Sequence, residues 1–306
     1  MENNQTVKSM DIFGLPELTL AEEEAMWCHS DSENGSDDSE DGSDYTKDGS
    51  EYSSSVGDLC GKTPMLPCLV DLRPTLESAV QVEALPDSGT TISIISEEFA
   101  RQIGVRILRT SRKLIVPTGA EAELVGQAII FVKVKKVAVK RLRVLVEKNG
   151  QDELLICYKD LIILRVLAVN FPNQVTQKNA ALLPHPHGDS SFPPFLTCTL
   201  KFATGDEKSW VYATVEAVPD SGCSGFTSIS DDFASRCGIK VSPTSIKCTD
   251  SEVSGQATIS IKIKDQLKEI QRRVSVSNIT KDMLLSWTDL ISLGVLSSNF
   301  PSPTPE

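Results

Sequence analysis

The sequence predicts an all-β fold with a few short helices, built as two copies of one unit of about 90–110 residues. Three observations lead there. Beyond residue 65 the apolar residues fall in alternating or continuous stretches bounded by Gly, Pro, Asn and Asp, the pattern of half-buried strands. Helix-compatible pieces are brief. A long stretch also recurs: "VEALPDSGTTISIISEEFARQIGV" (82–105) matches "VEAVPDSGCSGFTSISDDFASRCGI" (215–239) with one residue inserted after the DSG. Further on, "DLIILRVLAVNFP" (160–172) matches "DLISLGVLSSNFP" (289–301) at nine of thirteen positions, and "VGQA" (125–128) matches "SGQA" (254–257).

In chain order, residues 1–64 come first as an acidic region. Residues 1–58 hold sixteen acidic residues and two lysines, so they carry −14 of a net charge of −12 and the rest of the chain is slightly basic. The stretch "SDSENGSDDSEDGSDYTKDGSEYSSS" (30–55) has too few apolar residues to offset the entropy of ordering it, which predicts disorder. Its serines followed by acids, such as Ser36 and Ser39, are candidate kinase substrates, against the plainer reading of a solvated spacer. Upstream, "LTLAEEEAMW" (18–27) has amphipathic helical spacing but is too short to be stable alone.

The first repeat is assigned to 65–172 and the second to 196–301, with a Pro/His/Gly-rich linker at 173–195 and a tail at 302–306. In the first, "LVDLRPTLESAVQVEAL" and "AELVGQAIIFVKVKKVAVKRLRVLVE" read as strands; in the second, "FLTCTLKFA", "WVYATVEAV", "GQATISIKIKD" and "RRVSVSN" do. Helices are expected at 96–104 and 230–238 and around 159–165 and 288–294, each opened by a Ser, Asp or Thr cap, three of them ending at or beside a glycine. The basic run "VKVKKVAVKRLRV" (132–144) reads as a strand with one wet face. It lacks aromatics to stack on bases, so no nucleic-acid partner is expected.

Other classes are excluded on composition. The chain has no run of about eighteen uncharged apolar residues and no basic, apolar leader, so the expectation is a protein without a membrane partner, intracellular and cytoplasmic, or a fragment of a longer polyprotein. Eight cysteines without a CxxC pair or a leader are expected as reduced thiols. The two close histidines of "LPHPHGDSS" (183–191) have no partner ligand at metal spacing and read as linker, so neither a metal nor an organic cofactor is expected.

The chemistry rests on the doubled DSG. A single carboxylate on such a turn most simply stabilises it, because Asp hydrogen-bonds the backbone two residues on and the following Gly permits tight geometry. Two copies, each ending an apolar strand, can bring Asp87 and Asp220 together across a pseudo-twofold axis. Like charges a few ångströms apart do not both ionise near neutrality, so such a pair holds one proton and suits general acid–base activation of water. Ser88 and Ser221 are expected to donate into the carboxylate network, and Gly89 and Gly222 to let backbone amides approach the carboxyls.

Each repeat resembles a retropepsin, the aspartic protease of retroviruses and retrotransposons. The resemblance rests on the DSG, the Thr/Ser/Ile-rich strand after it, a glycine-bearing flap candidate and "LLSWTDLISLGVLSSNFP" (284–301), and it spans roughly 75–172 and 205–301. It implies a closed β-barrel of the acid-protease type per unit, acting as a dimer with one catalytic Asp from each half. Asp87 and Asp220 would be the catalytic pair. Ser88, Gly89, Thr90, Ser221, Gly222 and Cys223 would shape the supporting loops, and a flap would lie in "VPTGAEAELVG" (116–126) with Pro117, Thr118 and Gly119. Asp250 and Ser251 are the flap candidates of the second copy, about five residues shorter there than in the first.

The implied function is a retroelement-derived aspartic endopeptidase acting on a peptide or polyprotein such as Gag-Pol. The alternative is an inactive module that uses the fold for peptide binding or dimerisation. The copies depart from the pattern in complementary places: Cys157 and Tyr158 stand for Ser286 and Trp287, Arg165 for Gly294, and Cys223 follows the second DSG. A linker of about twenty residues is long enough for the repeats to pair within one chain as a pseudodimer, and each can equally pair with another chain as a homodimer.

Overall fold

A computed structural model describes residues 63–172, 193–204, 210–223, 226–244 and 252–302. The acidic region and most of the linker, with the expectations attached to them, lie outside these residues.

Two six-stranded closed barrels with the same strand order make up the described fold. The first contains β1 (Leu66–Asp71), β2 (Val80–Asp87), β3 (Ser93–Ser96), β6 (Leu124–Lys133), β7 (Lys140–Glu147) and β8 (Leu154–Cys157), closed as β1-β2-β8-β3-β7-β6. Helix α1 (Glu97–Ile103) follows β3, a small hairpin of β4 (Leu114–Ile115) and β5 (Glu121–Ala122) precedes β6, and α2 (Tyr158–Ile163) follows β8. The second barrel uses β9 (Leu196–Ala203), β10 (Trp210–Asp220), β11 (Ser228–Ser230), β12 (Val253–Ile263), β13 (Glu269–Ser277) and β14 (Met283–Ser286), with α3 (Asp231–Cys237) and α4 (Trp287–Ser292) in the places of α1 and α2.

Alternation explains the barrels. Along β9 every second residue, Leu196, Cys198, Leu200 and Phe202, is buried while the residues between them are half-exposed. Along β12, Ala257, Ile259, Ile261 and Ile263 are likewise buried, alternating with the exposed Thr258 and the half-exposed Ser260 and Lys262. The thiols of Cys68, Cys157 and Cys198 are buried and reduced, and burial pushes each up to about 12, so they serve as small apolar side chains.

Two stretches that read as single strands are hairpins. "LVDLRPTLESAVQVEAL" breaks after Asp71, whose carboxylate accepts the amides of Leu72 (2.6 Å), Arg73 (3.2 Å) and Ser78 (2.7 Å) and so closes the turn between β1 and β2. "VKVKKVAVKRLRV" alternates only as far as the fully buried Val134, then reverses through Lys135 at φ 45° into β7.

The helix caps also divide. Ser96 accepts the amide of Phe99 and Ser230 that of Phe233, and Gly104 and Gly238 end these helices in the left-handed region. Contrary to expectation, α2 and α4 start after Cys157 and Ser286 with no side-chain cap: Cys157 has no hydroxyl, and Ser286 Oγ lies instead against Thr227 Oγ1 (3.4 Å) and Thr288 Oγ1 (3.0 Å). After α4, Gly294 takes φ 78°, and Arg165 takes φ 56° at the same place in the first copy.

The repeated "GQA" has a steric cause. Gln127 exchanges two 2.8 Å backbone hydrogen bonds with Leu108, and Gln256 does so with Ser242. A Cβ on the preceding glycine would lie 2.3 Å from the Leu108 carbonyl oxygen at Gly126, and 2.8 Å from that of Ser242 at Gly255.

Candidate active site

Both DSG turns begin at the end of a strand held on each side. Asp87, the last residue of β2, pairs in parallel with Cys157 of β8; Asp220, the last of β10, pairs with Ser286 of β14. Parallel pairing of buried strands fixes the direction in which each chain emerges. The turn then folds back on its own aspartate: the Gly89 amide donates to Asp87 Oδ1 at 2.7 Å, and the Gly222 and Cys223 amides each donate to Asp220 Oδ1 at 3.1 Å.

Four reciprocal hydrogen bonds join the loops. Ser88 Oγ donates to the Pro219 carbonyl (2.7 Å) and accepts the Ser221 amide (3.0 Å), while Ser221 Oγ donates to the Pro86 carbonyl (2.7 Å) and accepts the Ser88 amide (2.9 Å). Both serines are 0% exposed. This corrects the expectation that they donate into the carboxylate network. Each hydroxyl uses its one proton in tying one loop to the other, and the carboxyls are oriented by backbone amides instead.

The glycines answer a second constraint. A Cβ on Gly222 would lie 2.8 Å from Asp87 Cγ, and one on Gly89 would lie 3.0 Å from Asp220 Cγ. Each glycine therefore faces the carboxyl of the other copy as well as donating to its own, and no other side chain leaves that space open.

The Asp87 and Asp220 carboxyls meet across the two loops, close enough that each acts on the other's protonation. Burial, and then the charge of Asp220, pushes the Asp87 carboxyl well above its ordinary value; burial also raises Asp220. Two carboxyls so placed share a proton more readily than both ionise, so the pair titrates as a unit. Asp87 is buried, with 9% of its surface exposed, and Asp220 is half-buried.

Around the pair, Thr90 Oγ1 donates to the Asp87 carbonyl (3.2 Å), and the Thr90 carbonyl accepts the Tyr158 amide (3.4 Å). Cys223 Sγ lies 3.6 Å from the Phe226 carbonyl. Pro117, Thr118 and Gly119 form the tip of the β4–β5 hairpin, closed by the Val116 amide on Ala120 (3.0 Å) and the Gly119 amide on Val116 (2.8 Å). That tip touches Thr280 of the second barrel, a residue the sequence reading missed. Asp250 and Ser251 lie outside the described residues.

Two further carboxyls behind the turns were also missed. Asp160 accepts Ser93 Oγ and Asp289 accepts Thr227 Oγ1, each at 2.5 Å. Their signal was present: these two residues open the nine-of-thirteen match. Among the described residues no group of His, Cys, Asp and Glu is arranged to hold a metal ion, and no helix is long and apolar enough to cross a membrane.

No known family profile and no curated protein matches the chain in sequence. Among solved structures it is similar to the retroviral protease-like domain of Ddi1 from Leishmania major, at 16% identity and a TM-score of 0.25, over 36% of this chain and 83% of that one.

Proposed function

We propose that the chain is an aspartic endopeptidase of retropepsin type, working as a single-chain pseudodimer with Asp87 and Asp220 as its catalytic pair. The observation that carries this reading is the mutual seating of the two carboxyls: set against each other, each acting on the other's protonation, and each faced by the opposite glycine. A pair built only to stabilise turns has no need to meet across two barrels, and burying it costs stability unless a proton is shared.

In the proposed reaction the ionised carboxyl removes a proton from a water held between the two, and the water oxygen attacks the scissile carbonyl. The protonated carboxyl donates to the carbonyl oxygen as the tetrahedral intermediate forms. Collapse returns that proton, the nitrogen leaves as an amine after protonation by the carboxyl that took the water's proton, and the other fragment leaves as a carboxylic acid. The β4–β5 hairpin acts as the flap over the bound peptide. By the same reading the substrate is an extended peptide or polyprotein segment, as for a protease of retroelement origin.

The deciding experiment compares the purified protein with Asp87→Asn and Asp220→Asn on a peptide library between about pH 4 and 7. Either substitution alone abolishes cleavage. Full activity in one single variant overturns the shared dyad, and peptide binding by a wild type that cleaves nothing points to a binding module instead.

A further inference from the structure

We propose that Asp160 and Asp289 are positioning residues, each holding in place the strand end that carries its own copy's dyad carboxyl, and that Arg272 clamps only the second of them. The catalytic consequence rests on the endopeptidase reading; the positioning itself does not.

Two relays run in parallel. In the first copy Asp160 Oδ2 accepts Ser93 Oγ at 2.5 Å, and the same Ser93 oxygen accepts the Cys157 amide at 3.0 Å. Cys157 is the register partner of Asp87. In the second, Asp289 Oδ2 accepts Thr227 Oγ1 at 2.5 Å, which accepts the Ser286 amide at 3.1 Å. Ser286 is the register partner of Asp220. A carboxylate accepts without donating, so it forces the hydroxyl proton towards itself and leaves the hydroxyl oxygen free to accept the amide. The direction of each relay is therefore set by its carboxylate. Its far end is the residue that lies beside a dyad aspartate.

The two arms differ in one cation. Arg272 Nε donates to Asp289 Oδ1 at 2.5 Å, and its Nη2 donates to Ser292 Oγ of α4 at 2.9 Å. In the matching barrel registers Ile130 faces Leu142 where Ile259 faces Arg272, so the first copy has a buried leucine at the arginine's position. The cation acting on Asp160 is Lys159 of its own helix, and burial pushes the Asp160 carboxyl above its ordinary value. Asp160 further accepts Cys157 Sγ at 3.5 Å, a weak contact with no counterpart at Ser286. The second arm is an ion-paired clamp. The first is held by neutral donors.

The test reads the dyad directly, without cleavage. Carbon-detected NMR titration of Asp87 and Asp220, with amide exchange over 84–90 and 218–223, is compared in wild type, Thr227→Val, Thr227→Ser, Asp289→Asn and Asp160→Ala. Thr227→Val and Asp289→Asn are expected to move the Asp220 titration and speed exchange at 218–223, with 84–90 affected less; Asp160→Ala acts mainly on Asp87 and 84–90. Thr227→Ser restores the wild-type curves because it keeps the hydroxyl. Where cleavage is measurable, kcat falls by up to about 10²-fold with KM little changed, the cost of slight misplacement of reacting groups.

Variants that fold but leave both titrations and both exchange patterns at wild-type values overturn the proposal, as does a Thr227→Ser indistinguishable from Thr227→Val. If Asp289→Asn fails to fold, the double variant Arg272→Leu/Asp289→Asn, which copies the leucine of the first barrel, removes the unpaired cation and gives the same reading. A wild type that cleaves no peptide while its dyad responds as described refutes the endopeptidase reading and leaves the positioning role standing.

Discussion

Thr280 of the second barrel holds the β4–β5 hairpin of the first: its amide, at 2.9 Å, and its hydroxyl, at 3.0 Å, both donate to the carbonyl of Pro117. The Thr280 methyl also lies 2.9 Å from where a Cβ on Gly119 would stand. A carbonyl with both acceptor positions used by one residue makes a latch, and the hairpin of one copy is tied to the other copy.

Removing the latch hydroxyl in Thr280→Val loses one exposed hydrogen bond, a contribution of about 0.5–1.5 kcal/mol. The expected outcome is amide exchange about two- to tenfold faster across 114–122, with the barrels unchanged. Exchange confined to wild-type rates would mean that Thr280 does not hold the hairpin.

Ser88→Ala and Ser221→Ala each remove a donor to a proline carbonyl and an acceptor for the opposite serine amide, all of them buried. Leaving such groups unpaired costs about 1–3 kcal/mol each. Urea unfolding should show either variant destabilised by at least that amount. In the double variant the losses should be far from additive, because both serines share one network.

Gly222→Ala places a methyl 2.8 Å from Asp87 Cγ, and Gly89→Ala places one 3.0 Å from Asp220 Cγ. Both are expected to separate the carboxyls and abolish cleavage while the barrels stay folded, with Gly222→Ala the more severe. Activity near wild type in a folded Gly222→Ala would contradict the close approach of the two loops.

The pair also sets a pH dependence. Its carboxyls sit above the ordinary aspartate value of 3.8, so the fold favours their protonated form. That contribution is complete below the unfolded pKa and is lost as pH rises through the raised value of the pair. Asp87→Asn stays neutral throughout, so its Tm should gain on wild type as pH rises above about 4, a trend that calorimetry reads directly. A gap that stays constant or narrows with rising pH contradicts the raised pair.

Mixing separates intrachain from interchain pairing. Asp87→Asn and Asp220→Asn chains combined in equal amounts should remain as inactive as each alone, since each site takes both loops from one chain. Recovery of about a quarter or more of wild-type activity would show exchange of repeats between chains.

Much of this was legible in the sequence because it is local or repeated. The strand period, the Ser96 and Ser230 caps and the paired DSG turns each depend on neighbours within a few residues. The β1–β2 and β6–β7 hairpins were less legible: the carboxylate of Asp71 reaching Ser78, and a non-glycine residue, Lys135, at positive φ, leave little mark on an apolar pattern. The roles of Ser88 and Ser221 could not be read at all, since their partners lie 131 to 135 residues away.

The sequence by itself determined that this chain is two β-rich copies, each ending a buried strand in Asp-Ser-Gly, because side-chain period and repetition are properties of order along the chain. Only the tertiary arrangement decides that the serines bind loop to loop, that each glycine makes room for the other copy's carboxyl, and that the β4–β5 hairpin rests on Thr280. Those are distances between residues far apart in sequence, and packing two barrels against each other is what sets them.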